Sequence, residues 1–219
     1  MKKRLALLPV LLGLFLGSAS ITRTQEKFEV SPFVGFETSG SYPVSLSSST
    51  TITDPINQLR VNQATAYGTF LDYNFTENLQ AEFMWDRNKT SYSARRVIDG
   101  TYFKAFNSDV DQFQFGGQYA VLDSSHRFRP YVAASVGFTH DSNSGGNPNR
   151  TEFGFSLGGG VKYSLSRHLG LRGDIRYMPT YGSSSYGLYC DPFFGFCYQA
   201  KVANFLNRGN FVGGLIFKF

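Results

Sequence analysis

Apolar and polar residues alternate with a period of two along much of the chain after residue 26. The last ten residues, 210–219, show this most clearly, because apolar or small residues occupy every second position counted back from the end. Such alternation predicts a β-strand with two unlike faces. The pattern recurs along the chain, and we predict eight strands, at about residues 27–36, 61–73, 79–86, 109–122, 128–139, 153–164, 169–178 and 210–219.

The connections between the predicted strands alternate between long and short. The sequence predicts four long loops, at residues 39–60, 90–108, 141–150 and 182–207, and three short turns, at residues 74–78, 123–127 and 166–167. This order is typical of a chain that passes up and down through a membrane, with long loops on the outer side and tight turns on the inner side.

The two faces of the predicted strands differ in residue type. One face carries most of the Phe and Tyr, and the other carries Gly, Ala, Ser, Gln and several charged residues. A soluble lipocalin-like barrel would turn its apolar face inward, whereas aromatic residues facing outward are typical of a membrane barrel. Because an open sheet edge has no partners in lipid, the sheet must close. We predict an all-β fold, an eight-stranded antiparallel up-and-down transmembrane β-barrel, over residues 21–219.

The first twenty residues have the features of a secretory signal peptide. Lys2, Lys3 and Arg4 form a basic start, residues 5–17 are apolar, and residues 17–20 are small. The apolar segment is too short to span a membrane, so we predict that residues 1–20 are removed. The formal net charge of +5 then falls by the three cations, to about +2. This small excess gives no reason to expect a nucleic-acid partner.

The final strand resembles a known targeting element. Its alternate residues Phe211, Leu215, Phe217 and Phe219 resemble the C-terminal strand of Gram-negative outer-membrane barrels, the strand that their assembly machinery reads. In the strand pattern of residues 27–219, the chain as a whole resembles the OmpA/OmpX-type family of eight-stranded outer-membrane barrels. The resemblance implies an integral protein of the outer membrane, with outer-membrane lipid and the assembly machinery as partners.

Charged residues occur on the face that is predicted to line the barrel. The interior of an eight-stranded barrel is just filled by side chains, and a buried charge without a partner is costly. We therefore predict a network of ion pairs and hydrogen bonds in the lumen. Its predicted members are Asp72, Glu82, Asp86, Arg129, Lys162, Arg172, Asp174, Arg176 and Lys218. Such a network serves either as a polar plug, which we favour, or as a gated ion path.

Cys190 and Cys197 are the two cysteines of the chain. In an exported protein their spacing predicts a disulfide across a short aromatic segment in the last outer loop. The segment contains Phe193, Phe194 and Phe196. These aromatic residues suit either an adhesive or receptor surface or the headgroup region of the outer leaflet.

The sequence offers little that is typical of an enzyme. A lipid-A-modifying barrel needs a histidine paired with a serine or a carboxylate on one wall. Of the three histidines, His126 lies in a predicted inner turn, His168 begins the seventh strand on that same side, and His140 lies at the outer rim of the fifth strand. We predict no catalytic residues, no metal site and no cofactor. The predicted function is non-enzymatic, in envelope integrity or surface interaction. The alternatives are a surface adhesin or receptor acting through its outer loops, a narrow pore, and a lipid-A-modifying enzyme.

Overall fold

The computed structural model describes residues 27–46, 56–144, 147, 149–182, 187–191, 195–200 and 204–219. The predicted signal peptide lies outside these residues. Within them the chain forms β-strands, which are, in chain order, β1 (Phe28–Ser39), β2 (Ser41–Leu46), β3 (Ile56–Val61), β4 (Ala64–Asn74), β5 (Leu79–Arg96), β6 (Tyr102–Ala120), β7 (Phe128–Asn143), β8 (Arg150–Ser164), β9 (Leu169–Tyr177), β10 (Thr180–Gly182), β11 (Gly187–Cys190), β12 (Cys197–Ala200), β13 (Asn204–Leu206) and β14 (Arg208–Lys218). In this part of the chain no helix has the length and apolar character needed to cross a membrane.

Eight of these strands close into a barrel. Each is antiparallel to its neighbours, in the order β1, β4, β5, β6, β7, β8, β9 and β14, and β14 returns to pair with β1. The β1–β14 pairing runs from Glu29 opposite Lys218 to Ser39 opposite Arg208. At the inner end, the Phe219 N–H donates to the Phe28 carbonyl over 2.9 Å. The predicted eight-stranded antiparallel barrel is confirmed.

The predicted faces are confirmed as well. Phe115 on β6 and Ile175 on β9 point outward and are 55% and 59% exposed. Their neighbours Gln114, Asp174 and Arg176 point inward and are buried. The outward set therefore forms the lipid-facing surface of a membrane barrel, and the inward set fills the lumen.

The prediction of a long loop at residues 90–108 is wrong. Strands β5 and β6 continue through it as a hairpin and pair as far as Arg95 opposite Tyr102. The hairpin turns at Gly100, whose φ of 68° favours glycine. The two strands contain 18 and 19 residues, whereas a membrane strand needs about 9–11. The hairpin therefore projects beyond the bilayer on the outer side.

Two other predicted loops also contain strands. Residues 39–60 include β2 and β3, which extend the sheet from β5, and residues 182–207 include β11, β12 and β13. Strands β10 and β13 pair with each other, and β10 also pairs with β8. These short strands lie at the outer end, and β2 and β3 bury apolar residues such as Tyr42 and Leu59. We call this part of the molecule the outer extension.

Candidate functional site

The inner half of the lumen contains a network of buried ion pairs centred on Arg172. Its guanidinium contacts Asp72 at 3.0 Å, Glu82 at 2.5 Å and Asp174 at 3.2 Å. These side chains are at most 1% exposed. Arg172 comes from β9, whereas Asp72 and Glu82 come from β4 and β5, so the contacts cross the lumen from wall to wall.

Two more cations complete this network. Arg176 contacts Glu82 at 2.6 Å and Asp174 at 2.7 Å. Lys162 on β8 contacts Glu29 at 2.7 Å and Asp72 at 2.8 Å. Each charge therefore has at least one opposite charge in contact, which offsets the cost of removing it from water. The structure brings together six of the predicted lumen residues, namely Asp72, Glu82, Lys162, Arg172, Asp174 and Arg176.

The inner network also depends on an aromatic ring that contacts Arg172 and on two glycines that have no side chain to fill the lumen. The Arg172 guanidinium lies 3.5 Å from the centre of the Phe70 ring, a cation–π contact. A Cβ atom at Gly158 would lie 2.9 Å from Arg176 Cγ, and one at Gly160 would lie 2.7 Å from the Tyr131 hydroxyl. Glycine at these two inward positions therefore leaves room for the network.

The other three predicted lumen residues lie outside this network. Asp86 accepts a hydrogen bond from the Asn210 side chain at 2.5 Å. Arg129 donates to the backbone carbonyls of Leu122, at 3.3 Å, and of Glu77. Lys218 donates to Ser164 Oγ at 2.9 Å. These three residues lie at heights along the barrel axis that differ from that of the network around Arg172.

Sequence reasoning missed a second buried network further out. Arg208 contacts Glu37 at 3.0 Å, and Arg150 contacts Asp141 at 2.9 Å and Glu152 at 3.2 Å. Two tyrosines join it, with Tyr42 donating to Glu152 and Tyr92 donating to Asp141, both at 3.1 Å. Asp141, Arg150 and Tyr92 fall in segments that were predicted to be loops. Asp141 and Arg150 continue the inward positions of β7 and β8, and Tyr92 continues those of β5, so extending each strand's alternation outward is the signal that would have included them.

An apolar cluster lies in the outer extension and forms what we call the outer cap. Its buried members are Tyr42, Val44, Ile56, Leu59, Val61, Tyr92, Ala94, Phe106, Tyr189, Tyr198 and Leu206. The Phe106 ring stacks on Tyr92 with a centroid separation of 4.6 Å and faces Tyr189 at 5.9 Å. The outer cap shares Tyr42 and Tyr92 with the second network, so the two layers are in contact.

The predicted disulfide between Cys190 and Cys197 is confirmed. It joins β11 to β12, and this hairpin contributes Tyr189 and Tyr198 to the outer cap. Phe196 packs against the same cluster, whereas Phe193 and Phe194 lie outside the described residues. The aromatic residues that the structure describes here therefore point into the molecule and stabilise the cap.

The histidines do not assemble a catalytic arrangement in the described residues. His140 faces Thr151 Oγ1 at 2.8 Å, and no carboxylate of the described chain lies within hydrogen-bonding distance of it. His126 contacts Asp123 at 2.9 Å and Ser125 at 3.3 Å, both through Nδ1. A proton relay needs contacts on both ring nitrogens. His168 Nδ1 lies 3.4 Å from the Lys218 carbonyl oxygen.

The residues of β14, together with Phe219 directly after it, alternate as predicted between the two sides of the barrel wall. Phe211, Leu215, Phe217 and Phe219 point outward and are exposed, whereas Val212 and Ile216 are buried.

The described residues contain no group of three or more His, Cys, Asp and Glu side chains that would hold a metal ion.

Comparison with known proteins agrees with this architecture. Residues 10–200 match the family model described as outer membrane protein beta-barrel domain. A search of curated protein sequences finds no match. Among solved structures, the chain is similar to the outer membrane protein OprG from Pseudomonas aeruginosa, with 16% identity, a TM-score of 0.62, and coverage of 89% of this chain and 97% of that one.

Two further structures show the range of proteins that share the fold. Neisserial surface protein A has 16% identity and a TM-score of 0.53, covering 88% of this chain and 97% of its own. The outer membrane protease OmpT from Escherichia coli has 9% identity and a TM-score of 0.50, covering 91% and 99%. At these identities the similarity concerns the fold alone, which both a surface protein and a protease adopt.

Proposed function

Because this chain belongs to the outer membrane protein beta-barrel domain family, we propose that it is a non-enzymatic barrel with a filled lumen that serves envelope integrity or surface interaction. The protein is an integral component of the outer membrane of Gram-negative bacteria.

The observation that carries this proposal is the filling of the lumen. Arg172 contacts acids from β4, β5 and β9, so the inner network reaches across the barrel. Further out, the network around Arg150 and Arg208 lies below the outer cap. Three successive layers of buried side chains leave little room for a hydrated ion, as an eight-stranded barrel leads one to expect.

Electrical recording tests this proposal against the narrow pore. We expect purified protein inserted in a planar bilayer to show no steady conductance, with a general porin recorded in the same bilayer as the positive control. A large and steady single-channel current would overturn the filled-lumen proposal. The protein that carries it must also migrate as a folded barrel on an unboiled gel.

The enzymatic alternative has a direct test at His140. This residue lies on the outward face of β7, opposite Asp111 of β6, where a lipid acyl ester would have access. We expect no change in the mass of lipid A incubated with the purified protein. Deacylation or acyl transfer that is abolished in a folded His140→Ala variant would make the protein an enzyme.

Two features of the outer extension favour a surface role. The β5–β6 hairpin projects beyond the bilayer, and the outer cap holds the short strands around it in place. An ordered projection presents the same residues to a partner each time, which lowers the entropic cost of binding. A ligand for this surface remains a prediction of the sequence.

A further inference from the structure

The outward wall of β3, β5 and β6 carries exposed cations above the membrane. Trp85 on β5 and Phe113 on β6 mark the outer end of the lipid-facing surface, and Arg87 follows two residues beyond Trp85. Past this level lie Arg60, Lys89 and Lys104, all exposed to solvent. We call these three residues the basic wall.

The sheet register holds two members of the basic wall side by side. Arg60 on β3 lies opposite Ser93 on β5, and Ser93 lies opposite Lys104 on β6. Neighbouring strands are about 5 Å apart, so the two cations flank the small Ser93 side chain at a separation of about 10 Å. An anionic group placed over Ser93 therefore has a cation on each side.

No carboxylate in the described chain lies within ion-pair distance of the basic wall. Arg87 lies nearer the membrane and contacts Asp109 at 3.4 Å and Asp111 at 3.7 Å. Asp109 is opposite Lys89 in the sheet but is directed to Arg87 instead. Arg60, Lys89 and Lys104 form no ion pair with any described residue, so three positive charges remain available.

The cations also stand at two heights. Lys89 is four residues beyond Trp85, and Ser93, at the level of Arg60 and Lys104, is eight residues beyond it. With a rise of about 3.4 Å per residue and a strand tilt of about 40°, these positions lie roughly 10 and 20 Å above the aromatic level. A ligand that meets both levels must therefore carry negative charge at two heights above its acyl chains.

The opposite wall of the outer extension is different. Its outward residues on β8, β10 and β13 include Thr151, Tyr181 and Phe205, which are exposed. None of the outward-facing residues described on those three strands is a cation. Between these two walls, the exposed cations among the described residues thus lie on the side of β3, β5 and β6, which points to a lateral neighbour in the membrane on that side.

We infer that the basic wall binds the phosphate groups of a phosphorylated glycolipid of the lipopolysaccharide class in the surrounding outer leaflet. Lys and Arg near a membrane surface attract anionic headgroups, and phosphate oxygens accept charge-assisted hydrogen bonds from both. Such a lipid carries phosphates on its acylated sugars and further out on its core sugars, which matches the two heights. This inference rests on the proposed function only for the location in the outer membrane.

The experiment uses purified protein in detergent, with an unboiled gel to show that each variant is a folded barrel. The probe is rough lipopolysaccharide, native or chemically dephosphorylated, and the measurement is its dissociation constant. The test variant combines Arg60→Gln, Lys89→Gln and Lys104→Gln. The matched control combines Lys27→Gln, Arg127→Gln and Arg167→Gln, which removes three exposed cations at the inner end.

We expect the test variant to bind native lipopolysaccharide about tenfold to a hundredfold more weakly, in line with the contribution of single cations at a membrane surface. The control should bind like the wild type, and dephosphorylated lipid should bind all three proteins equally weakly. Equal binding of the native lipid by test variant and wild type would overturn the inference. The inference would also be overturned if the test variant bound the native lipid like the wild type and were retained less only on a soluble sulfated polysaccharide. That result would assign the basic wall to a soluble polyanion. The lipid-binding experiment and the conductance recording measure different properties. A failure of this inference is therefore distinguishable from a failure of the filled-lumen proposal.

Discussion

Asn210 on β14 donates a hydrogen bond from Nδ2 to Oδ2 of Asp86 on β5, at 2.5 Å, across a separation of 124 residues in the chain. Both side chains are buried. The other carboxylate oxygen of Asp86, Oδ1, and the amide oxygen of Asn210, also Oδ1, have no hydrogen-bond partner among the described residues. Asp86 also has no cation within ion-pair distance in this part of the chain. It is thus a buried acid whose one polar contact is a neutral amide.

We expect Asp86→Asn to leave the barrel at least as stable as the wild type. The substitution keeps the size of the side chain and removes a charge that no cation of the described chain contacts, and burying such a charge is costly. The measurement is the denaturant midpoint of unfolding in detergent micelles, with Asn210→Ala as the comparison. A marked fall in the midpoint for Asp86→Asn would show that the carboxylate charge is needed.

Glu82 should behave in the opposite way. Its two oxygens accept hydrogen bonds from Arg176 at 2.6 and 2.9 Å, and Arg172 contacts it at 2.5 Å. Glu82→Gln leaves two buried arginines with one acid fewer, and breaking a buried pair costs about 3–5 kcal/mol. We expect Glu82→Gln to lower the free energy of unfolding clearly. Asp86→Asn, which removes the same amount of charge, is measured in parallel as the control. Equal effects from the two variants would refute this distinction.

Phe219 should matter for assembly more than for stability. Its side chain is 69% exposed and projects from the end of the barrel, while its backbone N–H and carbonyl both bond to Phe28. We expect Phe219→Ser to lower the amount of folded barrel in the outer membrane of cells several-fold. The same variant refolded in detergent should unfold at the wild-type denaturant concentration. If cellular levels are unchanged, Phe219 is not part of an assembly signal.

The disulfide should stabilise the outer cap and not the barrel. Closing a short loop of about eight residues removes unfolded-chain entropy equivalent to about 2–3 kcal/mol. We expect Cys190→Ser with Cys197→Ser to speed proteolytic cleavage in the last outer loop, because Tyr189 and Tyr198 then leave the cap more readily. The boiled-versus-unboiled gel shift should stay unchanged. Loss of that shift would mean that the hairpin supports the whole barrel.

The inner turn after β6 provides a prediction on pH. Ser125 donates to Asp123 Oδ1 from its hydroxyl, and His126 contacts the same oxygen at 2.9 Å; these bonds lower the pKa of Asp123 to about 2. A lowered pKa stabilises the folded turn above the usual aspartate range near pH 4, and this contribution is lost as the pH falls toward 2. We expect Ser125→Ala to raise the pKa, as measured by NMR titration of the carboxyl carbon. An unchanged pKa would contradict this role of Ser125.

Alternation in the sequence was enough to assign the inner network to the lumen. Arg172, Arg176 and Asp174 fall at every second position of one strand, so all three must face the same side. In a barrel of eight strands that side is narrow, which brings them to the acids of β4 and β5. The partner of Asp86 was not predictable in this way, because it depends on the height at which β14 and β5 face each other.

The outer network and cap escaped prediction for a physical reason. Where a strand leaves the bilayer its outer face meets water, so Lys89 and Ser91 point outward with the same polarity as the inward Thr90. The contrast between faces that reveals a membrane strand then disappears. Tyr92 and Arg150, which meet over 3.1 Å, lie in this region, and their segments resemble loops in composition.

The stacking of an apolar cap over two ion-paired layers gives the barrel redundancy against leakage. Cooling weakens apolar contacts, whereas buried ion pairs such as those of Arg172 and Arg150 stay paired. High salt strengthens apolar association and screens buried pairs much less than exposed ones. A fall in temperature therefore loosens the cap while the ion-paired layers still hold, and permeability would rise only when both barriers fail together.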